Sequence, residues 1–122
     1  MTTPISVMLI DDHTLFRSGI RLLLGRQSDI NVVGEAADAV EGIKRIHELQ
    51  PDVVLLDLNM PQWDGWVTFK QLERVDPSLP TIVITARPNQ YQEAVRLGVD
   101  AFMEKPLNIP VLIGAIKRLT TA

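Results

Sequence analysis

Asp57 stands directly after Val53, Val54, Leu55 and Leu56, an unbroken apolar run too short for a helix. Such a run reads as a strand buried on both faces, and it ends in a charge. Val7, Met8, Leu9 and Ile10 form a second run, which ends in Asp11 and Asp12; Thr81, Ile82, Val83 and Ile84 form a third, which ends in Thr85. Open α/β sheets bind ligands outside the carboxyl ends of their strands. Three carboxylates and a hydroxyl are therefore expected to face one crevice. Converging carboxylates suit a hard divalent cation such as Mg²⁺, which keeps several waters and commonly bridges to phosphate. With its charge offset by that cation, an aspartate becomes a nucleophile able to form an acyl phosphate.

Each of these residues also has a plainer reading. Asp11 and Asp12 precede a helical segment, and one of them is expected to cap it. Two adjacent carboxylates repel each other, which capping leaves unexplained and a cation relieves. Thr85 is either a β-branched strand residue or a donor to a phosphoryl oxygen. Lys105, just before Pro106, is either a solvated charge or a long stem reaching a shared oxyanion. Phe102 reads as core or as a movable edge aromatic. His13 and His47 lack ligand spacing and read as surface or capping residues. Trp63 is expected to be partly exposed, and Trp66 to be core.

The elements that must position these groups alternate in period. Strand-like runs occur at 5–10, 30–35, 53–57, 81–85 and 101–104. Between them, apolar residues recur at helical spacing: Leu15, Phe16, Ile20 and Leu23; Val40, Ile43, Ile46 and Leu49; Trp66, Phe69 and Leu72; Ala94, Val95 and Leu97; Ile109, Leu112, Ile113 and Ile116. The alternation predicts an α/β fold, a parallel sheet with helices on both faces. Gly98 is placed to end the fourth helix, and Pro110 to sit in the first turn of the fifth.

The 122 residues suffice for one domain, expected to span 1–122. A net charge of −3 argues against this segment binding nucleic acid by itself. With no cysteine, disulfides and thiolate metal sites are excluded. No apolar run reaches the ~20 residues of a membrane span, and the first residues lack the pattern of a signal peptide. A cytoplasmic protein is expected, and its last helix lies too near residue 122 to leave room for an output domain.

Taken in order, Asp11–Asp12, Asp57 with Met60–Pro61 and Gly65, Thr85–Ala86, and Phe102 with Lys105–Pro106 resemble a two-component response-regulator receiver domain over essentially the whole chain. The resemblance implies the flavodoxin-like three-layer fold with strand order 2-1-3-4-5. It implies that Asp57 accepts a phosphoryl group from a sensor histidine kinase, a phosphotransfer protein or a small acyl phosphate. It further implies Mg²⁺ held by the carboxylates of Asp12 and Asp57, by Asp11 mainly through water, and by the backbone carbonyl of Asn59. Thr85 and Lys105 would contact the phosphoryl oxygens, Phe102 would be the switching aromatic, and Lys105–Pro106 would be a cis peptide. On that footing the protein is a switch that catalyses its own phosphotransfer, not a stand-alone enzyme, and a homodimer formed on phosphorylation is compatible with it. Asp11–Asp12–His13 with Leu15, Arg17, Gly19 and Ile20 is similar to receivers that precede a LuxR/NarL-type DNA-binding domain, which links this reading to transcription regulation.

Two departures stand out. The stretch from Thr85 to Gly98 looks about two residues short of the family spacing, and Pro88 disfavours a helical Arg87, so a shortened fourth helix is expected. Arg87 is either a solvated charge or a guanidinium near the phosphoryl group. Two rival readings are a phosphohydrolase with an aspartate nucleophile and a receiver-like binding module without the chemistry. The first normally carries Asp-x-Asp after its first strand, which this chain lacks; the second normally lacks one of the site residues, all of which are present here.

Overall fold

The computed structural model describes residues 3–60 and 64–121. Pro61, part of the Met60–Pro61 motif, and Trp63, expected to be partly exposed, lie outside the described residues. Five strands alternate with five helices: β1 (Ile5–Ile10), α1 (Thr14–Gly25), β2 (Ile30–Ala36), α2 (Ala39–Leu49), β3 (Val53–Asp57), α3 (Gly65–Val75), β4 (Thr81–Thr85), α4 (Tyr91–Leu97), β5 (Ala101–Glu104) and α5 (Ile109–Thr120). All strand pairs are parallel, in the order β2-β1-β3-β4-β5, the flavodoxin-like order expected. Among the described residues no helix is long and apolar enough to cross a membrane.

Strand alternation divides the core in two. Val7, Leu9, Val53, Leu55, Ile82 and Ile84 pack against Ile20 and Leu24 of α1 and Leu112 and Ile116 of α5. Met8, Ile10, Val54, Leu56 and Val83 pack against Ile46 of α2 and Phe69 and Leu72 of α3. Every residue of β3 and β4 is buried, which explains their continuous apolar runs. Burying each large aliphatic side chain contributes about 1.5–3 kcal/mol. β5, at the edge, is only half-buried.

Three of the expected helical faces bury only some of their members: Ile20, Ile46 and Ala94 are buried as expected, and others are not. Leu15, Val40 and Val95 are exposed. The faces that bury are Ile20 and Leu24 in α1; Ala39, Gly42 and Ile46 in α2; and Ala94 in α4. Counting large apolar residues found Ile46 but missed Ala39 and Gly42, small residues that let α2 approach the sheet. The Asp11–Asp12 capping expectation is also corrected: His13 is the N-cap residue of α1 and no side chain caps that helix. The side-chain caps are Asp38, Asp64 and Asn108 on α2, α3 and α5. Gly98 ends α4 at φ 70°, a left-handed conformation that suits glycine. The fourth helix is shortened as expected: a 3₁₀ turn at Pro88–Gln90 leads into a helix of seven residues. The Lys105–Pro106 bond is cis.

Candidate functional site

The carboxyl ends of β1, β3 and β5 bring Asp11, Asp12, Asp57 and Lys105 together. Asp57 is 1% exposed and Asp11 4%. Both sit in strand phase with the α1/α5 side of the sheet, so their side chains converge. Asp57 Oδ1 accepts from the Asn59 backbone N–H at 2.9 Å. Asp11 Oδ1 accepts from the His13 N–H at 2.7 Å. Both are short turns that aim the carboxylates while leaving one oxygen of each for other partners. Those oxygens share Lys105, whose Nζ lies 3.0 Å from Asp11 Oδ2 and 3.5 Å from Asp57 Oδ2. The same ammonium lies 4.1 Å from the centroid of the Phe16 ring, a cation–π contact. The Arg17 guanidinium donates to the Asp11 carbonyl and pairs with Glu35 at 3.2 Å, tying the β1–α1 turn to β2.

One ammonium does not satisfy the three carboxylates. Among the described residues Asp12 Oδ1 is buried and has no hydrogen-bond partner, and Asp11 Oδ2 meets Lys105 without hydrogen-bond alignment. Burial pushes the Asp57 carboxyl above its ordinary pKa, and the nearby Asp11 charge adds to this, against the Asn59 N–H and Lys105, which pull it down. Ligand atoms of Asp11, Asp12, His13 and Asp57 lie within 4.8 Å of one another. Buried acids, an orphan oxygen and this spacing fit a small cation with oxygen-rich ligation. His13 is exposed and occupies the N-cap position of α1, in keeping with its surface or capping reading, and it also borders the acids, for which the sequence offered no ligand spacing. Its Nδ1 lies 3.8 Å from Asp11 and 4.0 Å from Asp12, on an exposed side chain. His47, in α2, is exposed and takes no part in this cluster.

Thr85 is brought to the same end of the sheet but not to Asp57. In β4 it has the phase of Thr81 and Val83, opposite to Ile82 and Ile84, so it faces the α2/α3/α4 side. Its hydroxyl lies 2.6 Å from Asn59 Oδ1 and also contacts Gln90 Oε1. The Asn59 side chain and Gln90 are functional neighbours that the sequence did not signal; Asn59 entered only through its carbonyl, and a single Gln in a turn has no pattern. Phe16 and Arg17 were read as core and as a subfamily mark. Phe102 is half-buried and meets Tyr91 edge-on, ring centroids 5.6 Å apart. Arg87 is exposed; its backbone N–H, at 2.9 Å, is what reaches Thr85 Oγ1. Trp66 is partly buried against the second core layer, 6.5 Å from Phe69.

A stability test follows from the raised Asp57 pKa. A carboxyl whose folded pKa lies above its unfolded value stabilises the fold below the unfolded pKa of ~3.9, and that contribution is lost as pH rises through the folded pKa. At pH 7 and without metal, Asp57→Asn is therefore expected to melt at a higher temperature than the parent. The gain should shrink as pH falls towards 4 in metal-free thermal melts. A constant difference across that range would show that the charge is not its source.

The response regulator receiver domain family model matches residues 7–117. The chain is 35% identical over 117 residues to the response regulator protein VraR of Staphylococcus saprophyticus, covering 94% of this chain and 56% of that protein. It thus spans little more than half the length of the curated relatives it matches. A two-component response regulator of the LuxR family from Aurantimonas superimposes with TM-score 0.87 at 28% identity, covering 97% of this chain and 86% of that one. Salmonella enterica RcsB, solved with promoter DNA and the phosphomimetic BeF₃⁻, gives 0.87 at 30% identity, covering 96% and 99%. With the strand order, the acidic cluster and these matches together, the chain belongs to the response regulator receiver domains of two-component signalling, with relatives in the LuxR family.

Proposed function

We propose that Asp57 is the phosphoacceptor of this receiver. The observation that carries the reading is the buried Asp11–Asp57 pair bridged by Lys105, with the Asp12 oxygen beside it left without a partner. Asp57 Oδ attacks the phosphorus of a phosphohistidine or a small acyl phosphate. The new bond is O–P, the bond to the donor nitrogen or oxygen breaks, and the donor leaves with its electron pair. Asp12 and Asp57 would hold Mg²⁺ through their carboxylates, Asp11 mainly through water, and Asn59 through its backbone carbonyl. When bound, the cation offsets the charge gathered between acids and phosphoryl group. Lys105 exchanges its carboxylate contacts for a phosphoryl oxygen. Thr85 turns its hydroxyl towards another, and Phe102 repacks into the space released, by packing alone because it has no hydroxyl.

Phosphorylation places roughly two negative charges at a buried position where the free carboxylate carries one. A local charge change of this kind biases an element with two packings. Here that element is the α4–β5–α5 surface, where Tyr91 and Phe102 touch. The receiver of 1–122 then acts in the cytoplasm on an output domain or partner. The promoter-bound RcsB relative supports transcription regulation as that output, and a sensor histidine kinase is the donor. Incubation with Mg²⁺ and acetyl phosphate is expected to add one phosphoryl mass to the intact protein. The gain should be absent in Asp57→Asn and abolished by a chelator. A gain that survives in Asp57→Asn would move the acceptor elsewhere.

A further inference from the structure

One resting partner of Thr85, Gln90, comes from a segment that this reading leaves without a role. Thr85 is fully buried. Its hydroxyl has one proton and two acceptors in reach, Asn59 Oδ1 and Gln90 Oε1, while the Arg87 N–H donates to its oxygen at 2.9 Å. Gln90 Oε1 also accepts from the Asn59 side-chain amide at 3.4 Å, and the Ala86 N–H donates to Asn59 Oδ1 at 2.9 Å. One hydroxyl, two side-chain amides and two backbone N–H groups thus close on themselves. Gln90 reaches the set because the chain turns sharply at Pro88–Gln90, only two residues after β4.

We infer that Gln90 is a positioning residue that, as a second acceptor beside Asn59, holds the Thr85 hydroxyl away from Asp57 and thereby weakens capture of the phosphoryl group. The inference rests on the phosphoacceptor reading and concerns the movement that follows it. To reach a phosphoryl oxygen, the Thr85 proton must leave both amide oxygens. Gln90 Oε1 then keeps only its long contact with Asn59. A net hydrogen bond of ordinary strength corresponds to an equilibrium factor of about three to ten.

The test is calorimetric titration of the whole chain with beryllofluoride, as a phosphoryl stand-in, in the presence of Mg²⁺. Gln90→Met keeps the side-chain length and removes the acceptor; it should bind the probe about three- to tenfold more tightly. Gln90→Leu should do the same, which guards against a folding defect of one variant. In a Thr85→Ala background the Gln90 change should have no effect, because the hydroxyl it restrains is gone. An equal tightening in both backgrounds, no change, or weaker binding would overturn the inference, since Gln90 would then act on the loop and not through Thr85. Parent protein that binds no beryllofluoride and gains no phosphoryl mass would defeat both readings. Parent protein that does both, with Gln90→Met matching it, would defeat this one alone.

Discussion

Gly65→Ala is expected to cost about 3 kcal/mol of stability, a larger loss than most single substitutions produce. A Cβ at Gly65 would lie 2.5 Å from the Leu58 Cα, 2.6 Å from its carbonyl oxygen and 2.8 Å from its Cδ2. Two of these are backbone atoms, so no rotamer change relieves them. Leu58 is itself buried, and its N–H donates to the Ile84 carbonyl at 2.9 Å. It cannot retreat without loosening the end of the sheet. The damage should also reach the chemistry, because Leu58 lies between Asp57 and Asn59. Urea titration should show the lost stability, and the acetyl phosphate reaction should slow in the fraction that folds. Gly114→Ala is the control: nothing lies within 4 Å of a Cβ there, and in the exposed face of α5 the change should stabilise by roughly 0.5–1 kcal/mol. Similar behaviour of the two variants would refute the close-approach argument.

Lys105→Met should have the second large effect, and its size should depend on pH and metal. The ammonium is the cation shared by Asp11 and Asp57, with side chains 15%, 5% and 1% exposed. Removing one partner from a buried ionic cluster leaves charge uncompensated and costs about 3 kcal/mol. The thioether keeps the stem and the contact with Phe16, so the loss reports charge and not volume. Without Lys105 the two acids face each other bare, and the Asp57 pKa, already raised by burial and Asp11, should rise further. Protonation of Asp57 then relieves the repulsion, so the deficit should be largest at pH 7 and should narrow as pH falls towards 4. Mg²⁺ should restore part of it. The phosphotransfer rate should fall by about a hundredfold, the usual loss when one donor to a developing oxyanion is removed. Metal-free urea titrations at both pH values, repeated with Mg²⁺, check the stability half. A deficit independent of pH and Mg²⁺ would mean that Lys105 acts by packing.

Much of this site was legible without coordinates, and the reason is local. Asp57, Asp11 and Thr85 each end an apolar run, and a strand of β3 or β4 type declares both its burial and its end through its own residues. Gly98 and Pro110 mark helix ends for equally local reasons. Helix faces were less legible where small residues do the packing. Val40 continues the apolar spacing of α2 yet is exposed, because Ala39 and Gly42 bring that helix down on a neighbouring face. Leu15 fits the spacing in α1, but the sheet lies on the side of Ile20 and Leu24.

By itself, then, the amino-acid sequence determined the alternation of strands and helices, the family, and which acids end which strands, since hydrophobic period and strand-end chemistry are properties of adjacent residues. The tertiary structure decided the partners. It set Lys105 between Asp11 and Asp57 over the Phe16 ring, left the Asp12 oxygen without a mate, and brought Asp57 up to Asp11, Asp12 and His13. It turned Thr85 away from Asp57 and onto Asn59 and Gln90. These contacts depend on strand phase, register and the path of the β4–α4 turn, quantities that exist only once distant segments have packed.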